Sequence, residues 1–260
     1  MPTNQVAENV LGTIGTICWT IQLVPQIWKS WRTKSTEGLS AHLVFLWALS
    51  APFFGVYAII RNLNVPLIVQ PQILSLLCLT SWAQCQYYGH LQKVTTTMVV
   101  YVIILAVLAG FEIGMVFAVR PSYRDGNSRP IQFFGIFSSV LLSIALLPQY
   151  YEIYKHREVI GISILFMLVD LMGGVFSILS LVFKAEFDVI AAVTYSLVVF
   201  LDGIVILLAL ILNPLAKRRR KREAQADAVM AEHSTAPTPF LDQNEANLRH
   251  SDNNPQLKIQ

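Results

Sequence analysis

Seven stretches of the chain, near residues 8–28, 41–60, 67–89, 97–119, 131–151, 162–183 and 189–212, are apolar over about the twenty residues that a helix needs to cross a hydrocarbon core about 30 Å thick. Short polar or charged turns separate them. The third is diluted by Gln70, Gln72, Gln84 and Gln86. Ile73, Leu74, Leu76, Leu77 and Leu79 nevertheless keep its centre apolar, and without it the remaining loops fall on inconsistent sides. The pattern predicts an all-α integral membrane protein with seven transmembrane helices. No basic segment precedes the first apolar run and Glu8 stands before it, so that helix is expected to stay in the protein rather than be cleaved as a signal peptide.

Composition and charge sharpen this picture. Of 260 residues, 54% are hydrophobic and 13% charged, against about 25% charged in a soluble domain, which excludes an ordinary cytosolic enzyme. The net charge of +3 comes largely from the run Lys217-Arg218-Arg219-Arg220-Lys221-Arg222. Seven spans put the termini on opposite sides. One side collects Lys29, Arg32, Lys34, Lys93, Lys155, Arg157 and the basic run, whereas the other has only Arg61, Arg120, Arg124, Arg129 and Lys184. The positive-inside rule then places the tail in the cytosol and the N-terminus outside or in a lumen. The basic run is expected to sit against anionic lipid, and nucleic acid is not an expected partner. Residues from 224 on are polar and are expected to be disordered. Cys18, Cys78 and Cys85 all fall inside spans without paired spacing and read as packing residues, with no metal site and no disulfide framework.

The sequence also repeats itself. At an offset of 123 residues, Gln22-Leu-Val-Pro25-Gln26-Ile-Trp-Lys29 followed by Gly38-Leu-Ser40 falls on Ala145-Leu-Leu-Pro148-Gln149-Tyr-Tyr-Glu152 followed by Gly161-Ile-Ser163. Gly12 falls on Gly135, Leu23 on Leu146 and Phe53 on Phe176. The period covers three helices and one connector. The expected architecture is therefore two parallel three-helix bundles joined by a connector helix (3+1+3): a first repeat over 1–96, a connector and loop over 97–130, a second repeat over 131–216 and a tail over 217–260. Parallel repeats about an axis along the membrane normal are a known transporter construction.

The paired Pro25-Gln26 and Pro148-Gln149, each near the end of the first helix of a repeat, resemble the PQ-loop family of seven-helix transporters over residues 8–216. Val169-Asp170-Leu171-Met172-Gly173-Gly174-Val175-Phe176-Ser177 is similar to the Asp-x-x-Gly-Gly-x-Phe-Ser stretch of the cystinosin branch of that family, which exports cystine from lysosomes with protons. The family also includes vacuolar cationic amino-acid exporters and, more remotely, sugar carriers. The resemblance implies residence in a vacuolar or lysosomal membrane. It also implies a proton-coupling role for Asp170, and Asp202 resembles an aspartate of that branch's last helix. Trp47 occupies the first-repeat counterpart of Asp170. This departs from members with acids in both repeats and suits a neutral or zwitterionic solute better than a strongly cationic one.

Read physically, a proline inside a helix removes a backbone hydrogen bond and crowds the carbonyl four residues back. Pro25 and Pro148 are candidate hinges, with Gln26 or Gln149 able to bond the freed carbonyl or to touch solute. The plainer alternative is a pair that only kinks and ends a helix. Asp170 and Asp202 lie well inside spans that hold no Lys or Arg. A charged carboxylate at such depth costs roughly 2.5–3.5 kcal/mol, so each is a candidate to carry a proton, the alternative being a structural interhelical hydrogen bond. Gly173 and Gly174, one turn on, allow close backbone approach or room for a solute. Glu112, in the connector with Gly110 and Gly114, reads as structural. Gln22, Trp47, Tyr57, Gln84 and Tyr195 are candidates for lining the path.

These readings lead to a proton-coupled secondary transporter that moves an amino acid or similar solute from an acidic organelle to the cytosol by alternating access. A pH-independent uniporter of a sugar or other neutral solute, or a seven-helix receptor or scaffold, are the alternatives. No nucleophile–base pair, metal-ligand cluster or phosphate loop is present, so neither an enzyme nor a cofactor is expected. A homo-oligomer is compatible with the sequence but not indicated by it.

Overall fold

The computed structural model describes residues 4–36, 39–159 and 164–235, excluding the side chains of Gln149, Glu152, Val229 and residues 231–235. Gly38 and Gly161-Ile-Ser163 of the paired Gly-x-Ser motif lie outside the described residues. The elements are α1 (Gln5–Thr33), α2 (Ala41–Ile60), α3 (Val65–Gln84), α4 (Val94–Arg124), α5 (Arg129–His156), α6 (Ile164–Val182) and α7 (Val189–Thr235). A single π-helical turn, Cys85–Gly89, continues α3. Among the described residues seven helices are long and apolar enough to cross a membrane, in agreement with the expected all-α membrane class. Large apolar side chains such as Met98, Val102, Val107 and Phe117 on α4 stay exposed, as lipid-facing surface requires.

Local chemistry sets the ends. Asn4, Ser40 and Asn64 cap α1, α2 and α3 by accepting backbone N–H bonds from the first turn. Lys34 and Arg157 close α1 and α5 in the left-handed region, with φ of 54° and 52°. These two residues are 123 positions apart. The same shift carries α1, α2 and the start of α3 onto α5, α6 and the start of α7 to within a residue or two. It also exchanges two observed interfaces, since α1 packs on α6 and α2 packs on α5. α4, which has no counterpart under the shift, packs on α2 and α3.

Both Pro-Gln helices run on for about two turns past the proline, to Thr33 and to His156, so neither pair ends its helix. The chain divides into two units, residues 1–214 and 215–260. In the second unit, residues 215–235 are helical, which corrects the disorder expected from composition as far as residue 235; residues 236–260 lie outside the described residues. Lys, Arg, Glu, Ala and Gln are strong helix formers, and extending an existing helix carries no nucleation cost. Arg219 and Glu223, at i and i+4, lie 3.7 Å apart.

Candidate functional site

Two acids enter the largely apolar core between α1, α2, α6 and α7, beside a few buried amides and hydroxyls. Asp170 on α6 is 3% exposed and Asp202 on α7 is 0% exposed. Asp170 is held from across the repeat interface: Gln22 Nε2 donates to its Oδ1 at 3.0 Å, and the Trp19 indole Nε1 donates to its backbone carbonyl at 3.0 Å. Asp170 Oδ2 and both oxygens of Asp202 receive no hydrogen bond from a described donor. The two carboxyls lie near one another.

Both acids line a cavity of about 20 Å³, walled by Trp19, Trp47, Leu74, Ser143 and Leu201 among others, with no Lys or Arg in its lining. That volume holds about one water molecule. Trp47 lies parallel to Phe166 on the second repeat, ring centroids 6.4 Å apart. The glycines one turn after Asp170 permit this packing. A Cβ on Gly173 would fall on the Trp19 indole, and one on Gly174 would lie 2.7 Å from Val199 Cγ2 of α7. Tyr195 packs against Trp19 and Phe54 and donates to Gln70 Oε1 at 3.3 Å. Gln70 donates in turn to Ser177 Oγ, and Ser177 to the Gly173 carbonyl.

The structure thus brings Gln22, Trp47, Asp170, Gly173, Gly174, Tyr195 and Asp202 together in one region. Tyr57 stands elsewhere, donating to Asp188 before α7. Gln84 donates to the Ile27 carbonyl at 3.0 Å, tying α3 to α1 beyond the Pro-Gln pair. Pro25 is exposed, and Gln26 donates to Ser30 of its own helix at 3.4 Å. Pro148 is exposed, and the side chain of Gln149 lies outside the described residues. Trp19, Gln70 and Ser177 were not legible as site residues. In the sequence Gln70 only dilutes the third span, and a glutamine within an apolar span is the signal that points to it. Glu112 is buried and accepts from Gln72, with Gly55 leaving room for its carboxylate.

A second polar cluster closes the end of the helices that carries the N-terminus. Asp188 is 1% exposed and pairs with Arg61 at 2.8 Å from Nε to Oδ2. Arg61 also donates from Nη1 to the Tyr123 hydroxyl at 2.8 Å. Burial by itself would push the Asp188 carboxyl up. Hydrogen bonds from Tyr57, the Ala191 N–H and Arg61, together with the Arg61 charge, outweigh it and hold the carboxyl below its ordinary value. Burial likewise works against the guanidinium charge, and bonds to Asp188 and Tyr123 more than offset it. Other cross-repeat bonds lie at the same end: Asn64 Nδ2 to Ser180 Oγ at 2.6 Å, Lys184 Nζ to the Asn62 carbonyl at 2.8 Å, and Asn4 N to the Phe183 carbonyl at 3.2 Å. At the Pro-Gln end Tyr150 donates to the Leu201 carbonyl and the Val159 N–H donates to Asn213 Oδ1, each bond within one repeat.

A duplicated helical unit with two neighbouring acids buried at the junction of its copies defines a seven-helix membrane protein built by internal repetition. A family model described as PQ loop repeat matches twice, over residues 7–67 and 130–190, displaced by the same 123 residues. The chain belongs to the PQ-loop repeat family. An uncharacterized protein of Schizosaccharomyces pombe is 37% identical over 216 residues, which cover 83% of this chain and 76% of that protein. The vacuolar histidine transporter YPQ3 of Saccharomyces cerevisiae is 34% identical over 90 residues, 34% of this chain and 30% of its own length. Cystinosin of Drosophila melanogaster is 25% identical over 205 residues, covering 68% of this chain and 49% of cystinosin. The chain therefore spans about half of the cystinosin it matches and less than a third of the histidine transporter.

Proposed function

We propose that the protein is a proton-coupled secondary transporter that carries an amino acid or amino-acid-like solute out of an acidic organelle, vacuolar or lysosomal, into the cytosol. The observation that carries this reading is the pair Asp170–Asp202. These are two buried carboxyls lining one cavity within the spans, with no Lys or Arg in its lining and with Gln22, Trp19 and Trp47 of the other repeat closing over them. The similarity to a vacuolar histidine transporter and to cystinosin supports the solute class.

In this reading helices α1–α3 and α5–α7 are two parallel bundles, α4 is the connector, and the bundles rock about Pro25 and Pro148, with Gln26 and Gln149 beside them. The N-terminus is lumenal and the basic run faces the cytosol. The concentration of cross-repeat bonds at the Arg61–Asp188 end supports a conformation closed toward the lumen, and the cavity of about 20 Å³ must widen to admit a solute. Lumenal protons load the acid pair, solute binds beside it, and both leave on the cytosolic side.

The test is flux in proteoliposomes with an imposed pH gradient and a panel of radiolabelled amino acids and sugars. Efflux of an amino acid from the acidic compartment, accelerated by the gradient, is expected. Asp170→Asn should lower the gradient-driven component at least about tenfold, the factor that corresponds to 1.4 kcal/mol. Flux indifferent to pH overturns proton coupling, and flux of sugars alone overturns the solute class.

A further inference from the structure

A second cavity, about 290 Å³, opens at the Arg61–Asp188 end and shares no lining residue with the chamber of Asp170 and Asp202. Small-molecule pockets begin at about 300 Å³. Its wall carries one charge of each sign, Arg61 and Asp188, with the hydroxyls of Tyr57, Tyr123 and Ser128 and the amide of Gln132. Ile131, Phe187, Val189 and Ile190 supply an apolar side.

The two charges are unequally open. Arg61 is 27% exposed at its side chain, whereas Asp188 is 1% exposed. A guanidinium has five N–H donors in a planar fork. The hydrogen bonds described for Arg61 run from Nε to Asp188 and from Nη1 to Tyr123, which leaves Nη2 without a described acceptor. A carboxylate can take that fork in bidentate fashion. When it does, Asp188 needs a new cation, because a buried charge left without its partner is strongly unfavourable. A solute that carries a carboxylate and an ammonium on one carbon supplies both. A sugar supplies neither, and a simple amine or simple acid supplies only one.

We infer that this cavity is a lumenal docking site for the zwitterionic head of an α-amino acid. Arg61 receives the carboxylate, Asp188 and the Tyr57 hydroxyl receive the ammonium, and the incoming solute replaces the Arg61–Asp188 pair that clasps α2 to the start of α7. The inference rests on the amino-acid reading of the function. The apolar wall and the lack of a further charged residue in the lining favour neutral side chains.

The test uses the full chain in liposomes and a radiolabelled mixture of neutral amino acids, measured from the Arg61 side. Leucine methyl ester and 4-methylpentanoic acid, each lacking one of the two head charges, serve as competitors beside leucine. Leucine is expected to compete at least tenfold better than either. Arg61→Lys, which keeps the charge and loses the fork, should raise KM about tenfold while lowering Vmax much less. Tyr123→Phe, which removes only the hydroxyl that orients the guanidinium, should raise KM severalfold and carries the test if the lysine variant does not fold. If amino acids are carried but neither KM nor the competitor ranking changes, or only Vmax and thermal stability change, the cluster is a structural latch. The docking site is then overturned and the transport function stands. If no amino acid is carried, the functional reading falls and the docking site falls with it.

Discussion

At the scale of single residues, the site depends on what is missing as much as on what is present. Gly173 has no Cβ because the Trp19 indole occupies that space, and the same indole holds the Asp170 carbonyl. Gly173→Ala therefore forces the ring away, and overpacking of this kind costs about 1–3 kcal/mol. A melting temperature several degrees lower in detergent is the expected reading. Gly110→Ala is the control. It sits on α4 with nothing within 4 Å of the added carbon, so alanine's higher helix propensity should leave stability equal or slightly raised. Gly173 could be singled out from the sequence by its position one turn after an acid, but its partner could not. Trp19 lies 151 residues from Asp170, and only the packing of α1 on α6 brings them together.

At the scale of elements, helices were largely legible because their signal is local. Apolar length marked all seven, and the 123-residue shift marked which resemble which. The helical extension over residues 217–235 was missed because polarity was read as disorder, although those residues favour a helix. The Arg61–Asp188 clasp was missed for a different reason. The two charges sit in separate turns, 127 residues apart, and each reads alone as an ordinary loop charge. Its electrostatics predict a pH response. Asp188 caps the start of α7 through the Ala191 N–H, and its carboxyl is held below the ordinary value by Tyr57, Ala191 and Arg61. A depressed carboxyl contributes stability that is complete above its unfolded value, about 3.9, and is lost as pH falls through the folded value. Thermal stability attributable to the clasp should be flat above about pH 4 and decline below it. Asp188→Asn should lower stability at neutral pH and flatten the decline, and melting curves against pH measure both. Mild acidification alone therefore does not release this end of the molecule.

At the scale of the whole molecule, the bonds between repeats among the described residues are dense from the middle to the N-terminal end. A carrier that alternates must part the dense end once in every cycle. Asn64→Cys with Ser180→Cys, at side chains now 2.6 Å apart, should form a disulfide that stops flux, and reductant should restore it. Continued flux in the oxidised pair would show that this end does not open. Loss of the Asn64 cap on α3 is expected to cost only about 1 kcal/mol in either redox state. The placement of the acids has a further consequence. Asp170 and Asp202 both belong to α6 and α7, whereas Trp19, Gln22 and Trp47 belong to α1 and α2. If the two halves rock, the acids travel together and only their cover is exchanged for water. A proton can bias the two conformations only by the difference in how well each one holds it. Under the proposed proton coupling, the drive that a gradient exerts would depend on neutral side chains of the opposite half, and retuning it to a weaker or stronger gradient would need no change in the acids.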